Sequence, residues 1–238
     1  MKIAFSVPLA LFAALSFSTV ARAHDIVVFA KAGEAVSVQY GHPGDWQTLD
    51  RYRILDLEAR TAGGAVSSQL EALRFAPDGT AAHVEARADS SVIAARYDNG
   101  FWAKLTDGTY RNARRTELAG VVEAMSSFKY AKAWIAGDGW RYGVGHGLEI
   151  LPLATPASAK PGTGFSVRVL WQGKPLAGVG VEIGDGVTVR KEADIPRFLT
   201  DAEGVASLPI TAGPGTMVFA GTVNLGNTLT VRATAYSP

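Results

Sequence analysis

The chain contains no cysteine, and this absence excludes several kinds of protein at once. A disulfide framework, a thiolate metal site and a cysteine nucleophile are impossible, and so is lipid attachment to a leader cysteine. Any site for a transition-metal ion must therefore use nitrogen, oxygen or methionine donors. The chain has only four histidines, so each one can be considered individually.

The chain also has no marked excess of positive or negative charge, since it contains 23 basic and 22 acidic residues. The amino-terminal leader described below holds two basic residues, Lys2 and Arg22, and no acid, which leaves 21 basic against 22 acidic residues after its removal. The chain also has no basic run. This balance argues against a nucleic acid or an anionic membrane surface as the main partner.

One long apolar run stands at the amino terminus. Lys2 precedes a run at residues 3–20 that is apolar except for serine, threonine and one proline, and Ala21-Arg22-Ala23 has the small-x-small form that signal peptidase reads. We predict that residues 1–23 are a signal peptide, that the mature protein is periplasmic, and that the mature chain is not inserted in the membrane. Cleavage would make His24 the first residue, with a free amine beside its imidazole.

Short β-branched and aromatic runs follow, separated by glycine, aspartate and proline, which indicates antiparallel strands and an all-β fold. We assign residues 24–153 to an N-terminal meander or sandwich. Turns are predicted at Pro77-Asp78-Gly79, Asn99-Gly100 and Asp107-Gly108 because these residues tolerate positive φ angles.

One segment departs from the strand pattern. Residues 114–125 carry Leu118, Val121, Val122 and Met125 at spacings of three and four, which favours a single short amphipathic helix packed over the sheet.

A boundary between two β-rich domains is predicted at Lys160-Pro161-Gly162, after which the strand pattern resumes with a different rhythm. Residues 160–238 contain seven short apolar runs, typical of a small immunoglobulin-like or transthyretin-like sandwich. The runs are residues 165–171, 179–183, 187–190, 198–200, 205–210, 217–222 and 229–235.

Three of the four histidines lie where a core imidazole would be unexpected. His24 is the predicted terminus, His42 lies in Tyr40-Gly41-His42-Pro43-Gly44, and His146 lies between Gly145 and Gly147. Glycines beside a histidine let the backbone bend and let a ligand approach closely. We therefore expect His24, His42 and His146 to form a metal site.

Imidazole and amine donors suit nickel, copper, cobalt and zinc, whereas calcium and magnesium require oxygen. Asp25 would add a carboxylate or fix the tautomer of the neighbouring imidazole. His83 alternates with small and apolar residues as an ordinary strand residue would, so it is kept only as a possible further ligand.

No catalytic motif appears in the sequence: neither a nucleophile elbow, a phosphate loop nor an HExxH pair is present. We therefore expect a binding protein and not an enzyme. Two alternatives stay open. One is a histidine-brace copper protein, which would use the same His24. The other is a cell-envelope adhesion or carbohydrate-binding module with incidental histidines and an exposed aromatic platform at Trp46, Trp102 or Trp140.

Several segments together resemble a known family. They are His24-Asp25, Tyr40-Gly41-His42-Pro43, residues 147–153, residues 169–176 and residues 200–204. This combination resembles the large periplasmic family long filed as a domain of unknown function and often labelled nickel-transport complex NikM-like protein. The resemblance implies an accessory protein of nickel or cobalt uptake with two β-rich domains, a membrane metal transporter as partner, and His24 and His42 as ligands. Nickel is thus the expected ion, with cobalt and copper as alternatives.

Overall fold

The structure is a computed structural model that describes residues 24–30, 34–85, 87–135, 137–145, 147–155, 158, 162–184, 188–189, 194–210, 217–225 and 229–237. Side chains are described only as far as residue 210. The described residues are mostly antiparallel strands with short 3₁₀ turns, so the predicted all-β class is confirmed. No helix among them is long and apolar enough to cross a membrane. The predicted signal peptide lies outside the described residues.

The strands in chain order are β1 (Asp25–Phe29), β2 (Val36–His42), β3 (Asp45–Gln47), β4 (Ile54–Thr61), β5 (Val66–Ser68), β6 (Arg74–Phe75), β7 (Ala81–Val84), β8 (Ser90–Leu105), β9 (Tyr110–Arg111), β10 (Val121–Trp134), β11 (Leu148–Pro152), β12 (Gly164–Trp171), β13 (Lys174–Pro175), β14 (Gly180–Gly184), β15 (Arg197–Leu199), β16 (Val205–Pro209), β17 (Met217–Leu225) and β18 (Leu229–Ser237). The 3₁₀ turns are Arg51–Arg53, Leu70–Ala72, Arg115–Glu117 and Gly139–Arg141.

These strands form three sheets. The first has the order β1-β2-β7-β6, with β3 paired to β2. The central sheet has the order β15-β14-β17-β18-β10-β8-β4-β5, with β9 paired to β8. The third runs β11-β12-β13, with β16 also paired to β12.

The central sheet has a hydrophobic core on each of its faces. Along β8, Val92 and Ala94 belong to the core shared with the third sheet, while Ile93 and Ala95 belong to the core shared with the first sheet. Successive strand residues point to opposite faces, so one uninterrupted apolar run supplies both cores. The arrangement is a three-layer β-sandwich.

The last strand joins the two parts of the chain. β18 pairs in parallel with β10, from Ser126 opposite Leu229 to Ala133 opposite Tyr236. One sheet therefore contains strands from both sides of the boundary predicted at Lys160-Pro161-Gly162. The division into two domains stays a prediction.

The helix predicted for residues 114–125 is wrong. A 3₁₀ turn occupies Arg115–Glu117, and β10 begins at Val121, paired with β8. Gly120 has a φ of 71°, which interrupts a right-handed helix, and Val121-Val122 favours extended backbone. Pairing along the full length of β8 overrides the helical spacing.

The hairpin turn predicted at Asn99-Gly100 is also wrong, because β8 continues through both residues. A register shift between Ser127 and Phe128 on β10 accompanies Gly100, whose φ is 78°. A β-bulge places one extra residue in a strand without ending the pairing. Asn99 is buried there, and its Nδ2 donates to the Ser127 hydroxyl over 3.0 Å.

Two other turn predictions are confirmed. Gly79 and Gly108 have φ angles of 71° and 83°, and they lie in the connections from β6 to β7 and from β8 to β9. Only Thr188 and Val189 of the strand predicted at residues 187–190 are described, and neither lies in a strand.

A buried ion pair fixes β11 to the central sheet. Lys132 Nζ on β10 lies 2.6 Å from Glu149 Oε1, and each side chain is only 4% exposed. Glu149 also accepts the backbone N–H groups of Val144 and Gly145, at 2.6 and 3.3 Å. Burial acts to raise the pKa of the Glu149 carboxyl, but Lys132 and the two N–H donors outweigh it and hold the pKa below its usual value. The stabilisation is present above the usual carboxyl pKa and is lost as the pH falls through the lowered one.

Replacing Glu149→Gln should lower the free energy of unfolding by about 3–5 kcal/mol, because the Lys132 ammonium would remain buried without a counter-charge. Chemical denaturation at pH 7 measures the loss. The matched control is the double variant Lys132→Met with Glu149→Gln. It removes the uncompensated positive charge and keeps a side-chain oxygen that accepts from the Val144 N–H. It should recover part of the stability, and a double variant less stable than Glu149→Gln would contradict this account.

Candidate metal site

Strand register brings His24, His42 and Asp45 together at one end of the first sheet. Asp25 pairs with Gly41 at the end of the β1–β2 ladder, so His24 stands opposite His42. On the other side of β2, His42 pairs with Asp45 of β3. His24 shares its face of β1 with buried Ile26 and is thus directed towards the central sheet.

The three side chains present donor atoms to one small volume. His24 Nε2 and His42 Nε2 lie 3.5 and 3.7 Å from Asp45 Oδ2, and the imidazole centroids are 5.2 Å apart. One ligand atom from each residue falls within 4.8 Å of the other two. Metal–nitrogen and metal–oxygen bonds of about 2.0–2.2 Å require separations of roughly this size, so small side-chain movements would let all three bind one ion.

A two-residue turn at Pro43-Gly44 positions His42 and Asp45 side by side. The fixed φ of proline followed by Gly44 at φ 81° matches a type II turn. Gly41 just before it has a φ of 131°, and a Cβ at this position would meet the carbonyl oxygen of Asp45 and lie 2.9 Å from Trp46 Cα. Only glycine allows β2 and β3 to approach this closely.

Tyr40 supports the cluster from the interior. Its ring meets the His24 ring edge-on at 5.5 Å and stacks on Tyr97 at 5.0 Å. Its hydroxyl donates to Asn99 Oδ1 over 2.6 Å. Burial, and secondarily Tyr97, raises the pKa of Tyr40 to about 12, so the side chain is a neutral phenol near pH 7. We regard Tyr40 as a support for His24 and not as an anionic ligand.

The outermost member of the cluster is Asp45. Its side chain is 47% exposed, compared with 25% for His24 and 17% for His42. Asp45 Oδ1, the oxygen that does not face the histidines, accepts a hydrogen bond of 2.5 Å from Gln47 Nε2. Gln47 therefore holds one oxygen of the carboxylate, while the other, Oδ2, faces the imidazoles.

Of the five predicted ligands, the structure brings two together. His24 and His42 come together as expected. Asp25 and His83 are not members of the cluster among the described residues: Asp25 follows His24 on the strand and so occupies its other face, and exposed His83 lies on β7 opposite Ser37. His146 lies outside the described residues.

Asp45 is the member of the cluster that sequence reasoning missed. The sequence analysis considered His42 only within Tyr40-Gly41-His42-Pro43-Gly44, which stops one residue before Asp45. The signal was present in His42-Pro43-Gly44-Asp45, since a two-residue turn makes its flanking residues cross-strand neighbours. Reading Pro43-Gly44 as a hairpin would have paired the two side chains.

The aromatic platform expected of a carbohydrate-binding module is not formed by the three tryptophans considered for it. All three are partly buried. Trp46 packs edge-on against Phe29 at 5.9 Å, Trp102 donates its indole N–H to the carbonyl of Asn99, and Trp140 packs against the core shared with the third sheet.

The fold and the cluster together define a β-sandwich protein with a two-histidine, one-carboxylate group at the end of one sheet. The chain belongs to the DUF4198 family, a domain of unknown function, whose profile matches residues 20–222.

Other comparisons identify relatives without an assigned role. An uncharacterized protein of Haemophilus influenzae is 25% identical over 202 residues, which cover 84% of this chain and 81% of that protein. Among solved structures, a tetra-tandem repeat from the extending region of a large adhesion protein matches with a TM-score of 0.25 and 12% identity, over 90% of this chain and 48% of that one. Murine CEACAM1b matches with a TM-score of 0.23 and 6% identity, over 88% of this chain and 96% of that one. The chain thus spans about half the length of the adhesion-protein fragment, and neither likeness carries a functional argument.

Replacing Gly41→Ala should destabilise the protein by about 1–3 kcal/mol, because the residue is held at a strained positive φ and the new methyl group would press on the backbone of Asp45 and Trp46. Thermal and chemical denaturation measure the change. Gly108→Ala is the control, since its φ is also positive at 83° but nothing lies within 4 Å of the added Cβ. Equal losses for the two variants would show that the close approach at Gly41 contributes nothing.

Proposed function

We propose that the protein binds a divalent transition-metal ion through His24, His42 and Asp45. The observation that carries the proposal is the meeting of two imidazoles and a carboxylate, from the residue before β1 and from β2 and β3, with all three donor atoms within 4.8 Å of one another. Two nitrogen donors and one oxygen donor suit nickel, cobalt, copper and zinc better than calcium or magnesium.

The proposed cargo is nickel, with cobalt next, delivered to a membrane transporter by a periplasmic accessory protein. This more specific role rests on the family resemblance of the sequence and on the donor set. Partial exposure of the cluster supports it, because an ion that is to be passed on must be reachable by an acceptor. Capture and delivery require no bond-breaking step, and we assign the protein no enzymatic activity.

Leader cleavage would complete the site. His24 Nε2 already faces Asp45, and removal of residues 1–23 would turn the backbone nitrogen of His24 into an amine beside the same imidazole. Together with His42 this gives three nitrogen donors and one carboxylate oxygen. Nitrogen and oxygen sets of this kind suit tetragonal nickel(II) or copper(II).

The second candidate function is that of a copper protein, because the same nitrogen and oxygen donors also suit copper(II). A histidine brace uses a terminal amine and two imidazoles, and the observation favouring it here is the 5.2 Å separation of the His24 and His42 ring centroids. Copper(II) also binds nitrogen and oxygen sites more tightly than nickel(II) in general. Copper loading followed by an assay of peroxide-driven turnover on candidate polymers separates a copper oxygenase from a carrier.

Removal of a ligand should weaken nickel binding by more than roughly 100-fold, because loss of a residue that only hydrogen-bonds to a ligand already costs roughly 10–100-fold. The variants are His42→Ala and Asp45→Asn, made in a protein that begins at His24 and titrated with nickel by calorimetry. His83→Ala is the control, because His83 is an exposed histidine elsewhere on the first sheet, and it should bind like the unaltered protein. Equal affinity in all four proteins would refute the site.

One additional alanine before His24 should weaken binding by a similar factor, because it replaces the amine with a peptide nitrogen while every side chain stays the same. The affinity of the authentic protein should also fall with decreasing pH, because the amine and imidazoles must lose protons to bind the ion. The comparison uses the same calorimetric titration. If the extended and the authentic protein bind nickel equally, the terminal amine is not a ligand.

A further inference from the structure

We infer that Gln47 is a positioning residue that holds Asp45 as the outer, exchangeable ligand and thereby sets how fast the ion is released. The inference rests on the proposed metal-binding function and goes beyond it by assigning the release step to one side of the site.

The first support is that the two carboxylate oxygens of Asp45 face different partners. Oδ2 lies 3.5 Å from His24 Nε2 and 3.7 Å from His42 Nε2, whereas Oδ1 accepts from Gln47 Nε2 at 2.5 Å. A carboxylate has no hydrogen to donate, so the Gln47 group that faces it must be the NH₂. The hydrogen bond keeps Oδ2 directed towards the histidines.

The second support is the anchoring of Gln47 itself. Gln47 pairs with Tyr40 across β2 and β3, and Tyr40 is held by its hydrogen bond to Asn99 and its stacking on Tyr97. The backbone of the residue that orients the carboxylate is thus paired with a residue that is anchored in the interior. A hydrogen-bond donor on such an anchored backbone restricts the rotation of a ligating carboxylate.

The third support is the gradient of exposure across the cluster. His42 is 17% exposed, His24 is 25% exposed and Asp45 is 47% exposed. An incoming ligand from an acceptor reaches the ion most easily where solvent does, which is beside Asp45. Replacement of the Asp45 oxygen by that ligand therefore begins the release, and the hold of Gln47 on Asp45 opposes it.

The test measures release of nickel from the loaded mature protein into excess EDTA by stopped-flow absorbance. Gln47→Ala should release nickel about 10-fold faster or more, within the range that loss of outer-shell hydrogen bonds produces. Gln47→Glu keeps the shape but loses the donor, and it should also release faster. Gln39→Ala is the matched control, because Gln39 neighbours Tyr40 on β2 and faces away from the histidines, and it should behave like the unaltered protein.

A double-variant comparison separates positioning from a general structural effect. In an Asp45→Ala background, Gln47→Ala should change the release rate by no more than about twofold, the limit expected when the interaction has already been removed. Equal acceleration with and without Asp45 would overturn the inference. So would release at the unaltered rate from both Gln47 variants, and in that case the metal site itself would stand. If the unaltered mature protein retains no nickel, the proposed function fails and this inference fails with it.

Discussion

The central constraint on the molecule is that β8 and β10 must be covered on both faces. Their residues alternate between the core shared with the first sheet and the core shared with the third, as Ile93 and Val92 illustrate. Neither outer sheet can be removed without exposing one of these cores. The first sheet, which carries the candidate site, is therefore held by packing of Ile26, Val28 and Val38 against the central strands, and the position of His24 follows from that packing.

The site occupies the place where apolar packing gives way to polar contacts. Along the interior face of β1 and β2, buried valines and isoleucine are followed by Tyr40 and then by the two histidines. Tyr40 joins the two regions, because its ring packs with the core while its hydroxyl binds Asn99. The imidazoles thus rest on a rigid base, while Asp45 and Gln47 at the rim remain accessible.

Sequence patterns predicted the β class and most strand positions because apolar alternation and turn residues act locally. They failed where distant pairing decided the outcome. The spacing of Leu118, Val121 and Met125 suits a helix, yet β8 recruits this stretch as a strand. Asn99-Gly100 suits a hairpin, yet it forms a bulge within one long strand. His24 and His42 were identified from their local context, whereas Asp45 required the register of β3, which depends on one short turn.

The parallel pairing of β18 with β10 also bears on how the chain folds. The paired segments are about a hundred residues apart in sequence, and contacts between distant segments slow folding because a large loop must close before they form. Until β18 arrives, one edge of β10 presents unpaired backbone N–H and C=O groups, which can recruit a strand from another molecule. We therefore expect the central sheet to be completed late in folding, and a chain shortened at its carboxyl end to aggregate more readily.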